Sequence, residues 1–333
     1  MLSLQHIVIQ QVIDWLRDKQ SCWLATITRT YGSSPRPVGS IMACNQQGLV
    51  VGSLSGGCVE EALLKRIINA PTPTETPQFL LYQENNNEGP GALPCGGELE
   101  LLIEPLQEGC HLPHFEALLN AIQERRPIQR QVTLANGEKK LFSRQQPALQ
   151  LSESVFYQTF FPPFQILLIG ITPVSLYLAE MANSLDFRVW LCDPREAYQA
   201  NWQPEAYPYI HFCPDFPDDV VREHFNDAYS AVLALAHDPR IDDMALMESL
   251  LTPAFYVGAM GSQHSSYKRR ARLMELGLSK EQIAHLQAPI GLPIGSKTPM
   301  EIAVSIAAEL VLLRNKVMSQ QQENALTTQQ SGT

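Results

Sequence analysis

The sequence predicts an α/β protein in two parts, an N-terminal α+β domain built on hairpins and a C-terminal domain built on a doubly wound parallel sheet. Three observations predict it. In the first half, short apolar runs flank the turn sequences Asn45-Gln46-Gln47-Gly48 and Asn136-Gly137, as hairpins require. Pro162-Pro163 then breaks the chain. Beyond it Phe164 to Ile169 is an unbroken apolar run ended by Gly170, the pattern of a strand buried on both faces, and alternation of strand with helix follows.

Taken in order, residues 4–19 carry Ile7, Ile9, Val12, Ile13 and Leu16 at helical spacing. Cys22 to Thr28 reads as a strand, and Ser40 to Cys44 with Leu49 to Ser53 as a hairpin. Val59 to Asn69 reads as a helix after Gly56-Gly57, Leu99 to Ile103 as a strand and Phe115 to Arg125 as a helix. Gln129 to Ala135 and Lys139 to Phe142 form the second hairpin. In the second half, residues 173–185 are helical, Phe187 to Leu191 is a strand ending near Asp193, and Ala231 to Ala236 and Phe255 to Val257 are further buried strands around the helix Asp242 to Leu250. Pro299 to Arg314 is the last apolar helix. The expected domains are residues 1–160 and 161–316, with a disordered, glutamine-rich tail at 317–333 that lacks apolar anchors.

Composition narrows the function. A length of 333 residues exceeds what one hydrophobic core usually fills, so two cores are expected. A net charge of -10 disfavours nonspecific attachment to nucleic acid or anionic lipid. The 7 cysteines are odd in number and widely spaced with no C-x-x-C pair, which suits a reducing cytosol better than a disulfide framework. No apolar run approaches the roughly 18 residues of a membrane span, and the expected location is cytoplasmic.

Three constellations carry chemistry. Tyr31 to Gly39 encloses Arg36 among small and ring-constrained residues, with Ser34 beside it, a loop suited to holding a cation toward an anion; its bland reading is a rigid turn. Ser55-Gly56-Gly57-Cys58-Val59-Glu60 sets two glycines and a thiol at a helix start, where amides attract anions and a thiolate is favoured. Cys95-Gly96-Gly97 repeats the idea. For a single cysteine inert packing is the commoner role, but two beside matching glycines favour a thiol or backbone site. In the second half Gly170-Ile171-Thr172-Pro173-Val174-Ser175 stands where a dinucleotide fingerprint would, without its second and third glycines, while Asp193 lies where a ribose-binding acid would. Asp193 has the plainer alternative of closing a turn with Arg195. Gly258, Gly261 and Ser262 follow a strand and precede Lys268, Arg269, Arg270 and Arg272, a candidate phosphate seat whose cations alone would suit a solvated face.

Together these residues resemble the XdhC/CoxI family of maturation factors for xanthine dehydrogenase and related molybdenum hydroxylases. The resemblance rests on Gly32 to Gly39, Ser55 to Glu60, Cys95 to Gly97, Cys192-Asp193-Pro194-Arg195, Tyr256-Val257-Gly258 with Gly261-Ser262, and Ala288 to Leu292 with Thr298-Pro299. It implies a Rossmann-like C-terminal domain and an accessory chaperone, not an enzyme with its own turnover. Such a chaperone binds molybdenum cofactor (molybdopterin or its dinucleotide form), protects it while a cysteine desulfurase supplies the terminal sulfur, and delivers it to the target hydroxylase. The partners so implied are that hydroxylase, the desulfurase and a second copy of the chain. The cofactor contacts would be Ser34, Arg36, Gly56, Gly57, Cys58, Glu60, Cys95, Gly96, Gly97, Asp193, Gly258, Gly261 and Ser262, with Cys58 the candidate metal ligand. Two departures stand out: Gly170-Ile171-Thr172-Pro173 replaces the family's Gly-Ala-Gly-His, and Pro293 replaces an acid. The rival reading is a nicotinamide-dependent oxidoreductase using the parallel-sheet domain, and a pure protein scaffold is a third. Fold alone does not decide among them.

Overall fold

The protein is described by a computed structural model covering residues 4–31, 36–68, 76–82, 98–143 and 149–330. It divides into two compact units, Leu4–Pro162 and Pro163–Gln320.

In the first unit, α1 (Leu4–Arg17) precedes β1 (Cys22–Tyr31), β2 (Ile41–Asn45), β3 (Val50–Gly52), α2 (Cys58–Ile68), β4 (Gln78–Tyr82), β5 (Glu98–Leu106) and α3 (Glu108–Gln123). The strands form an antiparallel sheet in the order β3-β2-β1-β5-β4. Both faces of β1 are buried, so its apolar residues run on without alternation. Leu24 joins the cluster under α1 and α3 that contains Val8, Val12, Phe115 and Leu118. Trp23, Ala25 and Ile27 point the other way, onto Val59 and Leu63 of α2.

A second sheet follows from β6 (Ile128–Thr133), β7 (Lys139–Phe142), β8 (Leu149–Leu151) and β9 (Val155–Phe160), antiparallel in the order β7-β6-β9-β8. It packs Val132 and Phe156 on Leu102 of β5. The same contact encloses a cluster of charge. Arg130 on β6 and Glu104 on β5 are both fully buried and form a fork: Nη2 donates to Oε1 at 2.6 Å and Nη1 to Oε2 at 3.0 Å. Lys139 Nζ lies 3.6 Å from Glu104 Oε2. Burial works to raise the Glu104 carboxyl, but Arg130 and Lys139 outweigh it and hold it below its ordinary value. Arg130 also donates from Nε and Nη2 to Gln158 Oε1 on β9, at 3.1 and 2.9 Å.

The second unit contains β10 (Gln165–Ile169), α4 (Pro173–Ser184), β11 (Arg188–Cys192), the short α5 (Glu196–Gln199), β12 (Ile210–Cys213), α6 (Pro217–His224), β13 (Ser230–Ala234), α7 (Pro239–Ser249), β14 (Tyr256–Ala259), α8 (Gln263–Glu275), α9 (Lys280–Ala284), β15 (Leu286–Gln287) and α10 (Pro299–Gln330). All pairings are parallel, in the order β12-β11-β10-β13-β14-β15. Numbered within the unit this is 3-2-1-4-5-6, the dinucleotide-binding order with its switch between the first and fourth strands. The expected doubly wound sheet is therefore present. The helical backbone of α10 is described to Gln330. Its last buried side chain among the described residues is Leu310, and beyond it Arg314 donates to the Leu185 carbonyl at 2.6 Å and lies over the Phe187 ring.

Two testable consequences concern the first unit. Replacing Arg130 with Met strands a buried carboxylate and should cost about 3–5 kcal/mol, whereas pairing it with Glu104→Leu should recover much of the loss; denaturant titration of both variants measures this. The second concerns acid. Burial pushes His111 down to about 4 and His114 to about 3 from an ordinary 6.5, so the folded unit prefers both neutral. Their contribution is intact above pH 6.5 and declines as pH falls toward 4 and then 3, because the unfolded chain takes up the protons first. Melting between pH 7 and 5 should show the decline, and His114→Asn should flatten it.

Candidate functional site

Antiparallel pairing brings the motif-bearing strand ends of the first unit to one end of its sheet. Tyr31, after which the Arg36 loop begins, pairs with Glu98, the first residue after Cys95-Gly96-Gly97. Ile41, where that loop returns, pairs with Thr26, and Gly52, which leads to Gly56-Gly57, pairs with Met42. Ser34, Cys95, Gly96 and Gly97 themselves lie outside the described residues, as does the side-chain environment of Cys58, whose backbone opens α2. Arg36 is exposed. Pro37 to Ser40 form a tight turn in which the Ser40 amide and hydroxyl both donate to the Pro37 carbonyl, at 3.1 and 2.7 Å.

The glycine loop before α2 is not open to an external anion in this conformation, because Glu60 fills it. Its Oε1 accepts from the amides of Leu54, Ser55 and Gly56 at 2.8, 2.8 and 3.0 Å and from the Ser53 hydroxyl at 3.0 Å. Its Oε2 accepts from the Gly57 amide at 2.9 Å and the Ser55 hydroxyl at 2.6 Å. Burial tends to raise this carboxyl, yet the bonds from Ser55, Leu54 and Gly56 prevail and hold it far below the usual carboxylate range. Gly56 at φ +91° and Gly57 at φ +148° let consecutive amides converge. The anion held by this loop is the chain's own carboxylate.

Burial pushes Cys22 and Cys44 up to about 12. No cluster of three or more His, Cys, Asp or Glu suited to a metal ion occurs among the described residues.

In the second unit the fingerprint position is built for packing. Gly170 has φ +97°, and a Cβ there would lie 2.4 Å from Ala236 Cα. Thr172 and Ser175 form a capping box at the start of α4, and Pro173 has no amide to offer. Asp193 is fully buried; Oδ2 accepts from the Ile171 amide at 2.8 Å, and its two oxygens accept from Arg195 Nε at 2.8 Å and Nη2 at 2.6 Å. Burial raises its carboxyl, but Arg195 and the Ile171 amide outweigh that and keep it below its ordinary value. The strand-end acid thus ties the first loop of the sheet to Arg195, which itself lies 3.8 Å over the Tyr198 ring.

The third constellation is also structural here. A Cβ on Gly258 would meet Ile290 Cδ1 at 2.6 Å, and a Cβ on Gly261 would stand 3.3 Å from Ser265 Cβ. Ser262 caps α8, accepting from the Ser265 amide at 3.1 Å. Of the cations beyond it, Arg269 pairs with Asp242 and Asp243, Arg272 with Asp243, and Arg270 donates to the carbonyls of Leu286 and Ala288, while Lys268 is exposed. Sequence reasoning missed Glu104, Arg130, Lys139 and Gln158, although a charge inside the apolar run Leu101-Leu102-Ile103-Glu104 was a usable signal.

The class so defined is an α/β protein with a three-loop sheet end in one unit and, in the other, a nucleotide-fold sheet lacking the nucleotide loop. Residues 166–310 match the family model of the XdhC Rossmann domain, and residues 15–78 match that of the XdhC and CoxI family. The chain belongs to the XdhC/CoxI family. It is 26% identical over 328 residues to a probable xanthine dehydrogenase subunit of Bacillus subtilis, covering 91% of this chain and 96% of that protein. It is 23% identical over 307 residues to the molybdenum cofactor insertion chaperone PaoD of Escherichia coli, covering 92% and 88%. A solved structure described as a xanthine dehydrogenase from Bacillus halodurans superposes with a TM-score of 0.72 at 22% identity, over 92% of this chain and 96% of that one, which establishes the shared fold.

Replacing Glu60 with Gln should open the glycine loop, because an amide nitrogen would face donors that now meet Oε2. We expect a loss of about 1–3 kcal/mol in the first unit and faster amide exchange at Gly56 and Gly57, read by denaturant titration and hydrogen exchange.

Proposed function

We propose that this protein is a molybdenum cofactor insertion chaperone, binding the cofactor and passing it to a hydroxylase of the xanthine dehydrogenase type without turnover of its own. The observation that carries this reading is the ordered match of both parts of the chain to XdhC family models. Similarity along nearly the whole chain to a relative named for cofactor insertion supports it. The sulfuration step would be served by a cysteine desulfurase, and a second copy of the chain would complete a homodimer in the cytoplasm.

Molybdopterin offers two things to recognise, an anionic phosphate and a soft dithiolene-held metal. The Leu54–Gly57 amides do not suit the phosphate while Glu60 holds them. Arg36 does suit it, as an exposed guanidinium on a braced turn at the end of the sheet where the cysteine motifs join. Cys58, at the first position of α2, has the soft donor atom and the helix field that favour a thiolate ligand. Asp193, Gly258 and Ser262 serve packing, turn closure and capping, so a dinucleotide tail would have to displace or add to those bonds.

The strand order alone favours the rival reading, a nicotinamide-dependent oxidoreductase. The capped start of α4 and the engaged Asp193 oppose it. The deciding experiment isolates the protein from a host that makes the cofactor and oxidises the bound pterin to its fluorescent product. The chaperone reading expects loading and transfer to the apo-hydroxylase, with no micromolar NADH binding in calorimetry; an empty protein that binds NADH at micromolar affinity overturns it. Cys58→Ser should weaken cofactor retention about tenfold, equivalent to roughly 1.4 kcal/mol, with an unchanged melting temperature. A lowered melting temperature with normal retention would assign Cys58 to packing.

A further inference from the structure

The fork between Arg130 and Glu104 does more than join two sheets. Gln158 accepts from Arg130 through Oε1 and donates through Nε2 to the Gly39 carbonyl at 3.0 Å. A guanidinium only donates and a carbonyl only accepts, so these two neighbours permit one orientation of the amide. Gly39 lies at φ +88° in the turn that carries Arg36, and its own amide donates to the Ile27 carbonyl at 2.8 Å. The turn is thus braced by β1 through Ile27, by Ser40 through the Pro37 carbonyl, and by the second sheet through Gln158.

Gln158 is almost wholly buried, and only its Gly39 bond leads out of the charged cluster toward a connection that bears an exposed side chain of binding chemistry. An apolar residue would fill this part of a core without the expense of burying polar groups. We propose that Gln158 is a positioning residue: held by the Arg130–Glu104 pair, it fixes the Pro37–Ser40 turn so that Arg36 presents its guanidinium to the phosphate of the cofactor. The inference rests on the reading of Arg36 as an anion contact.

The test uses the full chain with Gln158→Glu, Arg36→Ala and the double variant. Glu at 158 keeps an acceptor for Arg130 and so preserves the core, but sets a carboxylate oxygen against the Gly39 carbonyl. The expected results are exchange of the Gly39 and Ser40 amides about threefold to tenfold faster, and pterin retention weaker by a similar factor. The double variant should retain no less pterin than Arg36→Ala alone, since both changes act through one contact. A purely structural role would leave the two retention losses additive, which overturns the proposal.

Unchanged exchange at Gly39 and Ser40 overturns it whatever the retention. Faster exchange with full retention in Gln158→Glu, while Arg36→Ala loses pterin, also overturns it and leaves the Arg36 reading standing. Normal retention in both single variants removes Arg36 as a contact and the proposal with it. Should Gln158→Glu fail to fold, Gln158→Met leaves Arg130 its fork with Glu104, removes the bond to Gly39, and is scored by the same outcomes below its own melting transition.

Discussion

A carboxylate sealed from water must be matched by cation, and in the first unit that demand falls on Glu104. Arg130 meets it with two parallel bonds from another sheet and Lys139 adds a second positive charge from the next strand. The consequence is strict register. Glu104 stands opposite Leu24 on the face of β5 that carries Leu102, and a slip of one residue would carry the charge to the face where Trp23, Leu54 and Leu63 pack. Burying such a group brings little net stability, since an apolar pair of similar size would do as well. What it supplies is direction: guanidinium and carboxylate fit one another in one plane, so β5, β6 and β9 meet in one arrangement.

The two units meet local electrostatic needs in the same way. Each has an acid of its own accepting from amides at a strand-to-helix junction: Glu60, in the first turn of α2, accepts from four, and Asp193 from that of Ile171 in the Gly170 loop. Helix starts and glycine turns attract negative charge wherever it comes from, and a tethered carboxylate arrives at high effective concentration.

Much of the fold was legible in the sequence. The runs at Phe164–Ile169 and Ala231–Ala236 announced central parallel strands because both faces are buried, and Asn136-Gly137 marked its hairpin by turn chemistry. Other elements were hidden for physical reasons. β9, Val155–Phe160, interrupts its aromatics with Gln158 and Thr159, whose polar groups are satisfied only by partners distant in sequence. α3 begins at Glu108, ahead of Pro113, where the sequence suggested a start at Phe115; at the sixth helical position Pro113 withholds one amide, from the Gly109 carbonyl. At the site, the glycine loops and strand ends were legible as motifs, but sequence could not say that Glu60 and Asp193 accept from the chain's own amides. The charged cluster went unseen because its members come from four elements, β5, β6, β7 and β9.

The close approach of Gly170 to Ala236 changes what that glycine signifies. With 2.4 Å between an imagined Cβ and the neighbouring backbone, no side chain fits, and the demand comes from the adjoining strand rather than from any bound molecule. A glycine here is a clearance fit between two parts of the same frame. Someone scanning a genome for nucleotide-binding loops would count it as a partial match, yet a sheet of this order needs it even with nothing bound. The diagnostic weight belongs to the second and third positions of the loop, where Thr172 and Ser175 now fasten the helix to itself.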